Sequence, residues 1–197
     1  DEYYSKSEGT FSPNIGLVWQ PLDAHSIYTS YSRSFAPFGG STGVNAVSST
    51  VVNAEPQYND QFEVGIKSDW LDQRLSTQFS VYDIRKHNIR YQPDAINNPD
   101  LWAVAGEHEA RGAEFSFIGR LRDNVFIRGG YGYTDAKVKE NIQYPLTENN
   151  PLDKVSKNTA NLFVRYLPTE KLYFETGITY QGSFYAYQNG NLNSTPV

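Results

Sequence analysis

The sequence predicts an all-β chain whose antiparallel strands form a transmembrane β-barrel wall, and three patterns carry that expectation. Apolar and polar residues alternate along segments of about ten residues, close to what a tilted strand needs to cross a bilayer. Short and long connections alternate between those segments, as in outer-membrane barrels with tight turns at one rim and long loops at the other. Trp19, Trp70 and Tyr166 each stand just before a short break on the apolar side of a strand, where a membrane interface favours such rings. The composition agrees: 15 Tyr, 11 Phe, 3 Trp and 15 Gly among 197 residues favour pleated structure.

The strands can be phased in order. Phe11, Pro13, Ile15, Leu17 and Trp19 share a face opposite Ser12, Asn14, Gly16 and Gln20, with Val18 the exception. After the break at PLDAH, Ile27, Thr29 and Tyr31 oppose Ser26, Tyr28, Ser30 and Ser32. In YNDQFEVGIKSDW, Phe62, Val64 and Ile66 oppose Glu63, Gly65 and Lys67; past LDQR, Leu75, Thr77, Phe79 and Val81 oppose Ser76, Gln78 and Ser80. GRLRDN separates Ala113, Phe115 and Phe117 from Val125, Ile127, Gly129, Tyr131 and Tyr133. LPTEK separates Ala160, Leu162, Val164 and Tyr166 from Leu172, Phe174, Thr176, Ile178 and Tyr180. Eight strands and four hairpin breaks result. Longer excursions fall near residues 36–57, 85–105 and 135–157, rich in Asn, Pro, Gly, Ser and charge. Loops of that length are uncommon in compact soluble domains.

The polar faces carry Glu63, Lys67, Glu114, Arg128, Arg165 and Glu175. A soluble sandwich would turn these outward to water, whereas a wide barrel turns them into a wet or plugged lumen. In the barrel reading Phe62, Val64 and Ile66 meet lipid.

Several chemistries are excluded. With no Cys there is neither a disulfide nor a thiolate metal site. The net charge of -5 and the lack of a basic run argue against nucleic acid as a partner. His25, His87 and His108 lack ligand spacing, and HEAR at His108 is not a zinc-binding HExxH. Glu107, Glu109 and Arg111 share a parity and read as a charge ladder rather than an acid/base pair. No nucleophile or phosphate-loop motif occurs, so no enzyme is expected. With no Met, the chain reads as processed or as part of a longer product.

Laid out in this order, EPQYNDQFEVGIKSDWLDQRLSTQFSVYDIRKHNI, GEHEARGAEFSFIG, GGYGYTDAKV, NTANLFVRYL and GITYQGSFYA resemble the barrel of TonB-dependent outer-membrane siderophore receptors. Upstream, SYSRSFAPFGG resembles that family's entry into a long loop. The likeness runs from about Phe11 to Tyr187. Ala110 stands where the family often has Ser, and Ser156 and Asn158 depart from its common Pro-Lys-His stretch.

The resemblance implies that residues 1–197 are eight consecutive strands of a plugged barrel of about 22 strands. The plug, the TonB-binding segment and the last barrel strands would lie outside them. It further implies a bacterial outer-membrane receptor that takes up a ferric siderophore, energised through TonB. The chelator would supply the iron ligands, so no cofactor is expected on the protein. The partners would be the ferric siderophore, TonB and outer-membrane lipid. Candidate ligand contacts are Tyr91, Trp102, Tyr185 and Tyr187, with His87 and Arg90 as polar support. A receptor for haem, cobalamin or a sugar, a closed eight-strand barrel with a structural or adhesive role, and a soluble binding sandwich remain alternatives.

Overall fold

Alternation with a period of two becomes one continuous sheet. The computed structural model describes residues 7, 9–36, 55–91, 93–94, 96–98, 101 and 103–186. Its strands are β1 (Asn14–Leu22), β2 (His25–Ala36), β3 (Gln57–Trp70), β4 (Leu75–His87), β5 (Arg90–Tyr91), β6 (Ala103–Val104), β7 (Glu107–Arg122), β8 (Val125–Glu140), β9 (Asn158–Thr169) and β10 (Leu172–Gln181). Eight of them form one sheet in the order β1-β2-β3-β4-β7-β8-β9-β10, each antiparallel to its neighbours, while β5 and β6 make a separate small hairpin. Pro21 lacks an N–H to donate, and it sits where the β1–β2 register shifts between Trp19 and Leu22.

Two neighbouring rows across the sheet define its faces. Ile27, Ile66, Phe79, Phe115, Tyr131, Ala160 and Tyr180 are successive cross-strand partners on one side. Ser26, Lys67, Gln78, Ser116, Gly130, Asn161 and Thr179 are partners on the other, one residue away along every strand. The polar row lines a groove of about 870 Å³ that reaches from β2 to β10, so the polar face is concave. The apolar face is convex and uncovered: Phe62, Ile66, Phe79 and Phe115 are all exposed. Among the described residues the one buried hydrophobic side chain is Ala136. A soluble sandwich would show the reverse, with its apolar rows closed against a second layer.

Packing on the concave side uses rings laid over glycines. Tyr28 pairs with Gly65 and Tyr82 with Gly112. A Cβ at Gly65 would lie 2.6 Å from the Tyr28 ring, and one at Gly112 would lie 2.4 Å from the Tyr82 hydroxyl. Flattened in this way, Tyr28 donates its hydroxyl proton to Glu63 and accepts from Gln78 Nε2 at 2.9 Å. Tyr82 meets Thr134 Oγ1 at 2.7 Å. Phe163 over Gly177 repeats the arrangement near the turn rim.

The strands differ from expectation in length. β3, β4, β7 and β8 run 14, 13, 16 and 16 residues, so residues 85–87 and 135–140 belong to strands and not to excursions. Their charge reads as loop, yet the charges pair across strands, Arg111 to Asp83 at 2.7 Å and Lys139 to Glu109 at 3.4 Å, and along them, Arg111 to Glu109 at 2.6 Å and Lys137 to Asp135 at 2.7 Å. The third excursion shortens to residues 141–157, and most of the first lies outside the described residues.

Two substitutions test this arrangement. Gly65→Val should destabilise the refolded full-length barrel by about 1–3 kcal/mol through overpacking, read as a lower urea midpoint, and adding Tyr28→Ala should restore most of the loss. Val64→Arg should cost roughly 2–4 kcal/mol of insertion near the bilayer midplane. Lys67→Leu should cost less in the same vesicle-insertion assay, and the opposite ranking reverses the faces.

Candidate functional site

At the end of the sheet away from the four tight turns, the concave face ends in the row Ser34, Asn59, Lys86, His108 and Val138. The β8–β9 connection folds onto this end. Val138 N donates to Asn150 O at 3.0 Å, Asn149 N to Val138 O at 2.7 Å, and Leu152 N to Ala136 O at 2.9 Å, so the returning chain pairs with β8 like a short extra strand. Between them sits a 3-10 turn over Pro145–Thr147. Proline is well suited to its first position, having no N–H to leave unpaired. Buried Thr147 fastens the turn: its Oγ1 donates to Tyr144 O at 2.7 Å and accepts from Asn141 Nδ2 at 2.9 Å. Two further bonds tie the connection to the segment after β10, Lys154 N to Tyr185 O at 2.7 Å and Ser156 Oγ to Gly182 O at 2.7 Å.

The result is a cavity of about 700 Å³ bounded by His108, Asn141, Tyr144, Asn150, Leu152 and Asp153, among others. That volume is in the range of small-molecule pockets, with a mixture of apolar walls and a few convergent polar groups. His108 lies beyond the apolar rows. Burial pushes its imidazole below the ordinary value, and the Lys86 cation adds to the effect. A neutral imidazole offers one donor and one acceptor to a ligand. In the neighbouring 88–106 connection, the Asn97 backbone N–H and the Asn98 side chain hold the Asp94 carboxyl below its usual range. Among the described residues no group of three or more His, Asp or Glu could hold a metal ion.

The residues singled out from sequence fall into separate places. Arg90 and Tyr91 form β5, paired with Val104 and Ala103. Tyr185 meets the cavity-forming connection through its carbonyl. His87 has the parity of the convex face, where it stacks on Tyr58 at 4.6 Å and pairs with Glu107 at 3.2 Å. Trp102 and Tyr187 lie outside the described residues. Glu63, Lys67, Glu114, Arg128, Arg165 and Glu175 all share the concave parity by register. Lys67 stands over the Tyr28 ring at 5.3 Å, Arg128 over Phe163 at 4.5 Å, and Arg165 Nη2 reaches Glu175 at 2.6 Å. Trp19, Trp70 and Tyr166 are exposed on the convex face, Trp70 donating Nε1–H to Thr77 Oγ1 at 2.9 Å. Sequence reasoning passed over Asn141, Tyr144, Thr147 and Asn150. The signals present were Pro145 and the Asn149-Asn150-Pro151 turn.

A family profile described as "TonB dependent receptor-like, beta-barrel" matches residues 1–196. The chain belongs to that family. It is thus an outer-membrane receptor barrel segment, and its family is one of receptors and not of enzymes. The probable TonB-dependent siderophore receptor PiuA of Acinetobacter baumannii is 29% identical over 198 residues, covering 93% of this chain and 26% of that protein. The metal-pseudopaline receptor CntO of Pseudomonas aeruginosa is 25% identical over 166 residues, covering 84% of this chain and 22% of that protein. The crystal structure of the A. baumannii siderophore receptor PiuA superposes with a TM-score of 0.79 at 27% identity, over 88% of this chain and 26% of that one. The chain therefore spans about a quarter of the length of these relatives.

Thr147→Val leaves the Asn141 amide without its partner and removes one of two bonds to the Tyr144 carbonyl, which keeps the Thr147 N–H at 2.9 Å, and it should loosen the cavity wall by about 1–3 kcal/mol. Hydrogen–deuterium exchange should rise across residues 141–152 and stay unchanged in the turn-end halves of β7 and β8.

Proposed function

We propose that the full protein imports a ferric siderophore across the outer membrane, with energy delivered through TonB. The observation that carries this reading is the loop-end cavity of about 700 Å³, set above the concave face and furnished with His108, Tyr144, Asn141 and Asp153. Both relatives named above are receptors for metal-binding small molecules by their descriptions, which supports the same ligand class here. In this reading the chelator holds the iron, and the protein supplies flat rings, amides and a neutral imidazole around it. Tyr91, Arg90 and Tyr185 are further candidate contacts toward the loop end, Trp102 and Tyr187 are candidates that lie outside the described residues, and His87 positions the top of β4 from the convex side. Glu63, Lys67, Glu114, Arg128, Arg165 and Glu175 line the lumen below. Trp19, Trp70 and Tyr166 anchor the wall at the membrane interface. TonB acts through a segment outside residues 1–197. A second reading follows from the pseudopaline relative: the cargo is a metallophore that carries another metal.

Binding of a panel of ferric siderophores, a zinc-loaded and a nickel-loaded metallophore, haem and cobalamin to the full-length receptor separates these readings. At least one ferric siderophore should bind, and Tyr144→Ala or the pair Tyr91→Ala with Trp102→Ala should weaken it roughly tenfold, about 1.4 kcal/mol. Unchanged affinity in all these variants takes the cavity out of ligand binding. Binding of haem or cobalamin alone overturns the ligand class.

A further inference from the structure

The concave face is not evenly charged. Toward the tight turns it forms a second cavity of about 670 Å³, whose lining sets four guanidiniums, Arg74, Arg120, Arg128 and Arg165, against the one carboxylate of Glu175. The chain as a whole is acidic, with a net charge of -5, so this local excess runs against its composition. Register builds the cluster: Arg128 stands opposite Ile118 and Phe163, Phe126 opposite Arg120 and Arg165, and Arg165 opposite Glu175. Arg120 N donates to Arg74 O at 2.6 Å, which brings the end of the β3–β4 turn to the same rim.

The four cations are not alike. Arg165 is held by Glu175 at 2.6 Å, and Arg74 reaches the exposed Asp123 at 3.4 Å. Arg120 and Arg128 have no carboxylate partner among the described residues. Each lies over a ring instead, Arg120 over Phe126 at 4.4 Å and Arg128 over Phe163 at 4.5 Å. A guanidinium held at a ring face keeps its N–H donors for an acceptor. The ring also limits the side-chain freedom that binding would otherwise remove.

This cavity shares Ile118, Arg128 and Phe163 with the polar groove of about 870 Å³, so the two form one continuous depression. It lies at the opposite end of the concave face from the loop-end cavity and nearly matches it in volume, about 670 against 700 Å³. A molecule sized for one fits the other. The two differ in charge: among the described residues the loop-end lining carries Asp153 and neither Lys nor Arg. An anion on this face is therefore drawn toward the turn end. Arg120 and Arg128 are exposed, and an exposed ion pair is a weak one, so the hold is brief.

We propose that the turn-end cavity is an exit site for the cargo, and that it takes an anionic ferric chelate built on catecholate or carboxylate groups. Guanidinium forks match paired anionic oxygens, whereas a neutral chelate such as a ferric trihydroxamate gains no charge pairing there. Tight turns of outer-membrane barrels face the periplasm, which puts the arginines where cargo leaves the wall. The inference rests on the import reading above and adds the charge class of the cargo.

The test uses cells carrying the full-length receptor and compares iron uptake from a trianionic ferric tris-catecholate with uptake from a neutral ferric trihydroxamate. The unaltered receptor should import the trianion. Arg120→Gln with Arg128→Gln should slow that uptake roughly tenfold, through loss of two charge-assisted contacts. Uptake of the neutral chelate should not change, nor should binding of the trianion to cells whose proton-motive force is collapsed. Ile118→Glu keeps both arginines on their rings and sets a carboxylate between them, at a position already exposed; it should slow the trianion alone in the same way. Import of neutral chelates only, or trianion uptake unchanged in both variants, overturns the exit site and leaves the import reading standing. Equal slowing of both chelates, with a lowered melting temperature, overturns it in favour of arginines that hold a protein segment of the lumen. An unaltered receptor that imports no ferric siderophore overturns the import reading itself.

Discussion

A wall standing in hydrocarbon has to satisfy its backbone polar groups from within, because lipid offers no hydrogen bonds. The antiparallel ladder meets that demand and fixes nearly everything else. Every residue of a strand is committed to one face or the other, and register carries that commitment across the eight strands. Rows of rings and rows of polar side chains then lie one residue apart, with no hydrophobic interior between them. The usual order of a folded protein is turned inside out, and the polar side has to do the packing.

That side manages it with small residues and large flat ones. Tyr28 over Gly65 and Tyr82 over Gly112 fill the concave surface without requiring a second layer. Their hydroxyls, joined to Glu63, Gln78 and Thr134, replace the oily contacts of a soluble core by directed bonds. The convex side needs no such arrangement, since its rings meet a solvent that accepts them. Above the bilayer that solvent changes, and so do the residues: the strands continue, but ion pairs across neighbours take over from rings.

Strand existence and facing were legible because a period of two survives in the local sequence. Phe62, Val64 and Ile66 stand opposite Glu63, Gly65 and Lys67 as their alternation implied. Strand ends were not legible. Residues 135–140 and the end of β4 look like loop because charge replaces the apolar half of the pattern, and only cross-strand partners reveal that Asp83, Arg111 and Asp135 form one row. The parity of His87 follows from counting along β4, yet a histidine near a loop invites a ligand-binding reading that geometry alone can qualify. The cavity at Tyr144 was harder still. It depends on residues 141–157 closing back onto β8 and on Lys154 meeting Tyr185, contacts that no local pattern encodes.

One consequence concerns how such a chain can change over generations. At the top of β7, His108 and Ala110 are on the concave face while Glu109 and Arg111 are on the convex one. A point substitution can therefore alter one environment and leave the other untouched. Insertion or loss of a single residue there exchanges the two sets at once, placing an imidazole among the charges and a guanidinium in the pocket. The lining of the cavity is thus free to drift by replacement within the strands, while changes of length are confined to the connections beyond them.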